Sequence, residues 1–414
     1  MKAHILVIAD GRSPTARSWI ANLQALDYGV SLVSTYPCQP PNGLLNTITL
    51  PVAFSRFSSG GQPSEQDPAQ IPVNPPPSGF RRLMRRFAPL AQGLRYHLGP
   101  HTLHRYIKPY LAFIEKVQPD LVHALRIPYE GLLGSATPAG LPFLAATWGN
   151  DLTLHAKASS AMGSLTRRCL TRADGLTSDT QRDVRLAHEW GLQPSAPTLV
   201  VPGSGGVDLD AIEAAAPEAF NPTAFGIPSG RPWVVNPRGL RPGSVHQEVF
   251  FQSIPKILAE SPDTVFLCPN LAGVRQAESW VDQYAIRESV FLLPRLPQFR
   301  LWALFKRSQV FTSPSSHDGT PNTLLEAMAC GCYPVAGRIE SLAEWIEPGR
   351  NGALVDPRDP DALAGTILTA LLSPEMRKES AFYNKAIIQQ RAAQSATRPR
   401  IDAFYQQFLS EEKR

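Results

Sequence analysis

Two acids separated by seven residues, Asp318 and Glu326, flank the string Gly319-Thr320-Pro321-Asn322-Thr323-Leu324. Thr320 is a natural N-cap, and Pro321 suits the first position of a helix, where its missing N–H costs nothing. The apolar run before them ends at Ser313-Pro314, so the stretch reads as strand, polar loop and helix. Leu324, Leu325 and Met328 recur at helical spacing on a core face, Asn322 and Glu326 share another, and Gly331 supplies the stop. The free N–H groups of Asn322, Thr323 and Leu324, with the positive end of the helix dipole, make a site for an anion such as a diphosphate. One acid stands just ahead of that site and the other a turn behind it.

A second candidate lies upstream. The apolar residues 233–236 run into Pro237-Arg238-Gly239-Leu240, which places a guanidinium at a strand end, able to hold phosphate oxygens bidentately. Arg241 and His246 follow within one turn of chain.

These segments resemble the retaining glycosyltransferases of the GT-B fold, in particular family 4, where two acids seven residues apart bracket a helix start and a basic residue follows the first strand of the donor domain. The resemblance implies that Glu326 holds the ribose hydroxyls of a nucleotide-sugar and that Asp318 holds hydroxyls of the transferred sugar. It gives the diphosphate to Arg238 and to the amides of residues 319–324. It also implies transfer with retention, in which the acceptor attacks from the face the leaving group departs from and a phosphate oxygen takes the proton. No metal and no other cofactor is expected. Asp318 departs from the usual Glu, and the Lys that many members carry a few residues after the Arg is missing from RPGSVHQE, so either Arg241 or His246 substitutes or backbone alone balances the charge.

Looser likenesses occur in the first half. Asp10, Gly11 and Ser13 follow the first apolar run, where the family has a loop facing the acceptor. His123 ends a later run, and Trp148 and Asp151, in TWGND, stand where many relatives carry a His. All are acceptor-side candidates; the alternatives are a plain βα turn at residues 10–15 and a satisfied structural histidine at 123. The Gly-rich GSGGVD at 203–208 resembles the segment that precedes the family's interdomain linker. Asp208-Leu209-Asp210 has the form of a metal-binding pair in a different glycosyltransferase fold, but the expected role of Asp208 is a helix cap.

The elements that must position these residues follow from periodicity. Short apolar runs at 4–9, 30–34, 121–124, 142–147, 175–178 and 199–202, and again at 233–236, 265–268, 290–293, 310–313, 333–336 and 353–355, alternate with longer amphipathic stretches. That is an α/β pattern with parallel strands buried on both faces. The expectation is two Rossmann-like doubly wound domains facing across a cleft, with ligands at the carboxyl ends of the strands. The expected division is 1–220 for an acceptor-side domain, 221–390 for the donor domain, and 391–414 for a C-terminal helix crossing back to the first. Pro and Gly punctuate residues 213–231, where a linker is expected.

Composition fits. The chain has 414 residues, 43% hydrophobic and 18% charged, enough for two cores. No run of about 18 apolar residues spans a membrane, and Asp10 interrupts the first apolar run too early for a signal peptide. Five cysteines, an odd number in a large chain, favour a reducing, cytoplasmic setting over a disulfide framework. The net charge of +5 suits an anionic partner, but no nucleic-acid-binding motif accompanies it. Residues 58–77 read as a flexible loop, and 79–99, GFRRLMRRFAPLAQGLRYHLG, set arginines around an apolar face. That face suits either a membrane surface, with a lipid-linked acceptor, or packing on the first domain. Two other functions share these motifs: a GT-B nucleotide-sugar epimerase or phosphorylase, and a nucleotide-sugar-binding protein without turnover.

Overall fold

The computed structural model describes residues 1–55 and 88–409, with side chains in the second stretch from residue 95 onward. The proposed loop 58–77 and the first half of the basic stretch 79–99 lie outside the described residues. From Ala88 the chain is helical, through the helix Ala88–Thr102.

The described residues form two units. Residues 1–55, 88–206 and 394–409 make the first, and 207–393 the second. In the first, seven parallel strands lie in the order β3-β2-β1-β4-β5-β6-β7: β1 His4–Ala9, β2 Gly29–Ser34, β3 Thr47–Thr49, β4 Leu121–Ala124, β5 Phe143–Thr147, β6 Gly175–Ser178 and β7 Thr198–Val200. In the second, six parallel strands lie in the order β10-β9-β8-β11-β12-β13: β8 Trp233–Val235, β9 Val265–Pro269, β10 Val290–Leu293, β11 Val310–Ser313, β12 Tyr333–Gly337 and β13 Ala353–Val355. Each strand order reverses once, between β1 and β4 and between β8 and β11. In an open sheet of this kind the crevice for a ligand opens there, at the carboxyl ends.

The apolar runs mark these strands because helices cover both faces of each sheet; β2, β5, β9 and β12 are buried along their whole length. The least buried is β3, whose Thr-Ile-Thr has its two threonines exposed at the sheet edge and so carries no continuous apolar signal. In the first unit the helix Gln394–Leu409 puts Ile401, Phe404 and Tyr405 into the core beside Ile5, Val7 and Leu121.

The division between units comes earlier than expected. Residues 207–220 belong to the second unit, because Ile212 and Phe220 are buried in one cluster with Trp233 and Val235. The Pro-rich stretch 213–231 is therefore a packed layer over β8 and not an open linker. Among the described residues no helix is long and apolar enough to cross a membrane.

Candidate functional site

The second unit brings Arg238, Asp318 and the helix Asn322–Ala329 together at its switch point. β8 ends at Val235 and hands Arg238 to the crevice; the neighbouring β11 ends at Ser313 and hands over the loop carrying Asp318. Arg238 Nη2 donates to Asp318 Oδ2 at 2.5 Å, and Nη1 donates to Thr323 Oγ1, in the first turn of the helix, at 3.3 Å. The Arg238 side chain is 5% exposed and that of Asp318 15%. Arg238 Nε is buried and has no hydrogen-bond partner. A buried cation with a spare donor, facing the first turn of a helix, is set up to take an anion.

The loop 314–320 is held by its neighbours. The Ser316 amide donates to the Ser244 carbonyl at 2.8 Å and the His246 amide to the Pro314 carbonyl at 2.9 Å, zipping it to the chain that follows Arg238. Ser315 Oγ donates to Asp318 Oδ2 at 3.2 Å, and Ser341 Oγ to the Asp318 carbonyl at 2.8 Å. At the end of β12, Gly337 lies so close that an added Cβ would sit 2.0 Å from the Ser315 carbonyl oxygen, which makes glycine obligatory there.

The helix start differs from expectation by one residue. Pro321 is the cap and the helix begins at Asn322. Thr320 lies one residue ahead of the cap, and its hydroxyl accepts from Trp345 Nε1 at 2.8 Å, which anchors the loop. The Leu324 amide is not free: it turns back to the Pro321 carbonyl at 2.9 Å.

Glu326, four residues into the helix, is half-buried and accepts from Gln298 Nε2 at 2.7 Å. Burial pushes its carboxyl up to about 7, opposed by the neighbouring Trp302 and Gln298. Of these two only the amide of Gln298 makes a full hydrogen bond, since Trp302 Nε1 is buried without a partner. Gln298 and Trp302 went unnoticed in the sequence. Their spacing of four, one helical turn, is the signal that pairs them on a face.

Arg241 is exposed, and its Nε donates to the Arg238 carbonyl at 3.2 Å. The Arg238 charge and burial push it down to about 10, with Asp318 working the other way, so it stays cationic at neutral pH. His246 Nε2 pairs with Ser316 Oγ at 2.9 Å, and burial lowers its pKa, assisted by Arg358.

The first-half candidates are placed differently. His123 is fully buried in the core of the first unit; Nδ1 pairs with the Tyr405 hydroxyl at 2.6 Å and Nε2 with Thr177 Oγ1 at 3.1 Å. Burial drives it down to about 3, so it is a neutral structural side chain. Asp151 is also fully buried: Oδ1 accepts from Arg126 Nη2 at 2.7 Å, and Oδ2 from the amides of Ile127 at 3.1 Å and Trp148 at 3.2 Å. Its task is to tie the exit of β5 to that of β4. Trp148 packs on Gly203, where an added Cβ would stand 3.0 Å from its Nε1. Ser13 caps the helix Pro14–Ala25 through the Ala16 amide at 3.4 Å. Gly11 makes room for the chain itself, since its absent Cβ would fall 2.5 Å from Cys38 Sγ. Asp10 is partly exposed, as Ser13 and Trp148 are, and both its oxygens accept from Arg12 at 3.0 Å. Beside it lies a residue the sequence reading missed: Glu130, buried, with one oxygen bonded to Thr35 and the other unpartnered. Burial raises its pKa.

Asp208 accepts from the Ala211 amide at 3.0 Å as the cap of the helix Leu209–Ala214. Among the described residues no cluster of three His, Cys, Asp or Glu side chains is placed to hold a metal ion.

Two family models match the chain: one described as a glycosyl transferase 4-like domain over residues 10–203, the other as glycosyl transferases group 1 over residues 243–386. Among curated proteins, a D-inositol 3-phosphate glycosyltransferase of Corynebacterium efficiens is 26% identical over 222 residues, 51% of this chain and 51% of that protein. That of Corynebacterium urealyticum is 30% identical over 144 residues, 33% of this chain and 34% of that protein. The chain thus spans about half the length of the curated relatives it matches. Two solved structures share the fold over nearly the whole chain. HepE of Anabaena in complex with UDP has a TM-score of 0.68 at 15% identity and covers 98% of this chain and 100% of that one. Sucrose-phosphate synthase from Thermosynechococcus elongatus has 0.71 at 17%, covering 98% of each.

Proposed function

Since the chain belongs to the family-4 glycosyltransferases of the GT-B fold, we propose that it is a retaining transferase moving a sugar from a nucleotide-diphosphate sugar to a hydroxyl acceptor. The observation that carries this reading is the Arg238 guanidinium, buried at the switch point, bonded to Asp318 and Thr323 and keeping one N–H spare.

In this reading the diphosphate lies against Arg238 and the amides of Asn322 and Thr323. The bond from the sugar's anomeric carbon to the leaving phosphate oxygen breaks while the acceptor oxygen bonds to that carbon from the same face. The acceptor proton passes to a phosphate oxygen, so no protein nucleophile is needed. The leaving diphosphate gains negative charge, which the guanidinium and the helix terminus meet with dipoles already in place; this is what lowers the barrier. With Arg241 supplying the second cation, the reaction calls for no metal. Asp318 orients the sugar hydroxyls, and Glu326 the ribose. A UDP-sugar is the first donor to try, because HepE was solved in complex with UDP-glucose. We place the activity in glycan or glycolipid assembly in the cytoplasm, with the stretch 79–99 as the contact to a membrane carrying the acceptor.

The test is a thermal-shift series with UDP, GDP, ADP, CDP and their sugars on the parent and on Glu326→Ala. One diphosphate series should raise the melting midpoint of the parent and not of the variant, since only a ligand that prefers the folded state does so. A folded variant that responds as the parent does would remove Glu326 from the site. Donor conversion to an epimer, or phosphorolysis, without any acceptor would replace transfer as the reaction.

A further inference from the structure

Arg238 owes its place to two side chains outside the expected binding set. Asn236, just past β8, and Gln247, at the start of the helix Gln247–Glu260, are 0% and 2% exposed. Asn236 Nδ2 donates to Gln247 Oε1 at 2.8 Å. Gln247 Nε2 donates to the Gly239 carbonyl at 2.8 Å and to Asn236 Oδ1 at 3.3 Å. Asn236 Oδ1 also accepts from the Arg238 amide at 3.3 Å. The two amides close a ring around residues 237–239, fastening both ends of the short turn whose middle is Arg238. Gly239, at φ +60°, directs its carbonyl into that ring.

A helix packed on a sheet gains nothing by burying a glutamine for its own sake. Methionine would fill the same volume without an amide to satisfy. The ring holds one particular thing, the turn that aims the guanidinium. Aim matters because a guanidinium binds a diphosphate through fixed, paired N–H groups and loses that pairing when displaced by a fraction of an ångström.

We propose that Gln247 and Asn236 are positioning residues for Arg238, and that their clamp sets how strongly the site prefers a diphosphate to a monophosphate. The proposal rests on the reading of Arg238 as the diphosphate ligand, and its test separates the two. Calorimetry compares UDP, GDP, ADP and CDP with their monophosphates on the parent, Arg238→Ala and Gln247→Met, read on whichever pair binds the parent. In Gln247→Met the diphosphate-to-monophosphate preference should fall on the order of tenfold, the scale of loss expected when a binding group is misplaced. Monophosphate affinity should stay near that of the parent. A loss of structure alone would weaken both nucleotides alike and leave the ratio intact. If Arg238→Ala lowers the ratio and folded Gln247→Met does not, the positioning role is overturned while Arg238 keeps its place. If Arg238→Ala leaves the ratio unchanged, or no diphosphate binds, both fall. Should Gln247→Met fail to fold, Asn236→Ser keeps an acceptor near the Arg238 amide, drops the link to Gln247, and is read in the same way. Gln247→Glu retains the acceptor for Asn236 but loses the donor to Gly239, and an intermediate ratio is expected.

Discussion

The carboxyl ends of the central strands in the two units carry the same kinds of side chain and use them in opposite ways. After β8 and β11, Arg238 and Asp318 hold each other but leave valences open: a buried Nε without a partner and a partly exposed carboxylate. After β4 and β5, Arg126 and Asp151 also pair and Arg126 Nε is likewise buried without a partner, yet the acid is fully buried and its remaining oxygen is taken by two backbone amides. In the function proposed above the first pair meets a ligand; the second fastens two loops. Residue type at a strand end therefore does not separate the two. Exposure of the acid does, 15% for the Asp318 side chain against 0% for Asp151.

Removing the cation in one unit and the acid in the other should break the symmetry most clearly. Arg238→Ala should lower donor turnover about 10²–10³-fold, the usual cost of losing one preorganised charge-stabilising donor, with a small change in melting midpoint. Asp151→Ala should instead lower stability by on the order of 3 kcal/mol, because it strands Arg126 and two buried amides. Denaturant melts and donor consumption measured on both variants decide this, and equal loss of turnover in both, with both folded, would erase the distinction.

The pH dependence sharpens the contrast further. Glu326 has a folded pKa raised to about 7, so the stability tied to its protonated form is fully present below about 4.5 and is lost as pH rises through 7. Glu326→Gln should therefore gain midpoint relative to the parent at pH 8 and not at pH 4. His123 runs the other way. Its folded pKa is lowered to about 3, so its contribution is full above about 6.5 and is lost as pH falls toward 3. His123→Gln should narrow the acid-side loss of stability between pH 6 and pH 4 relative to the parent. Melting curves across pH 4–8 read both, and the same sign in both variants would overturn the burial-driven shift of one of the two groups.

The smallest effect expected is also the most specific. Asp318 competes with any anion for the Arg238 guanidinium, so Asp318→Asn should bind free nucleoside diphosphate a few-fold more tightly while turning over less donor. Calorimetry with UDP gives the first number and a donor assay the second. Weaker binding of the free diphosphate would mean that Asp318 sets the geometry of Arg238 and does not compete for it.

Much of this was legible without coordinates, for reasons that differ by element. The strands showed because parallel strands are buried on both faces, and β1, β4, β6, β10, β11 and β13 have the bounds that their apolar runs suggested. β3 stayed invisible because its outward threonines carry no apolar signal. The string from Asp318 to Glu326 could be read because strand end, loop and helix start are local in the chain. Thr320 misled: the cap is Pro321, one residue later, and the Thr320 hydroxyl goes to Trp345, 25 residues away. The roles of His123 and Asp151 could not be settled from the sequence, because their partners Tyr405 and Arg126 come from other elements. Gln247 gave no sign, since a glutamine's role is set by what its amide reaches.

The sequence by itself determined the α/β architecture, two sheets' worth of buried strands, and the pairing of an acid-flanked helix start with an arginine at a strand end. All of these are properties of periodicity and of contacts within a few residues. Only the tertiary structure decided which charged groups keep free valences, where the Pro-rich stretch after residue 206 packs, and which neutral amides aim Arg238. Burial and hydrogen-bond satisfaction depend on segments that meet only when the chain is folded, and a linear string carries no record of which donor will find which acceptor.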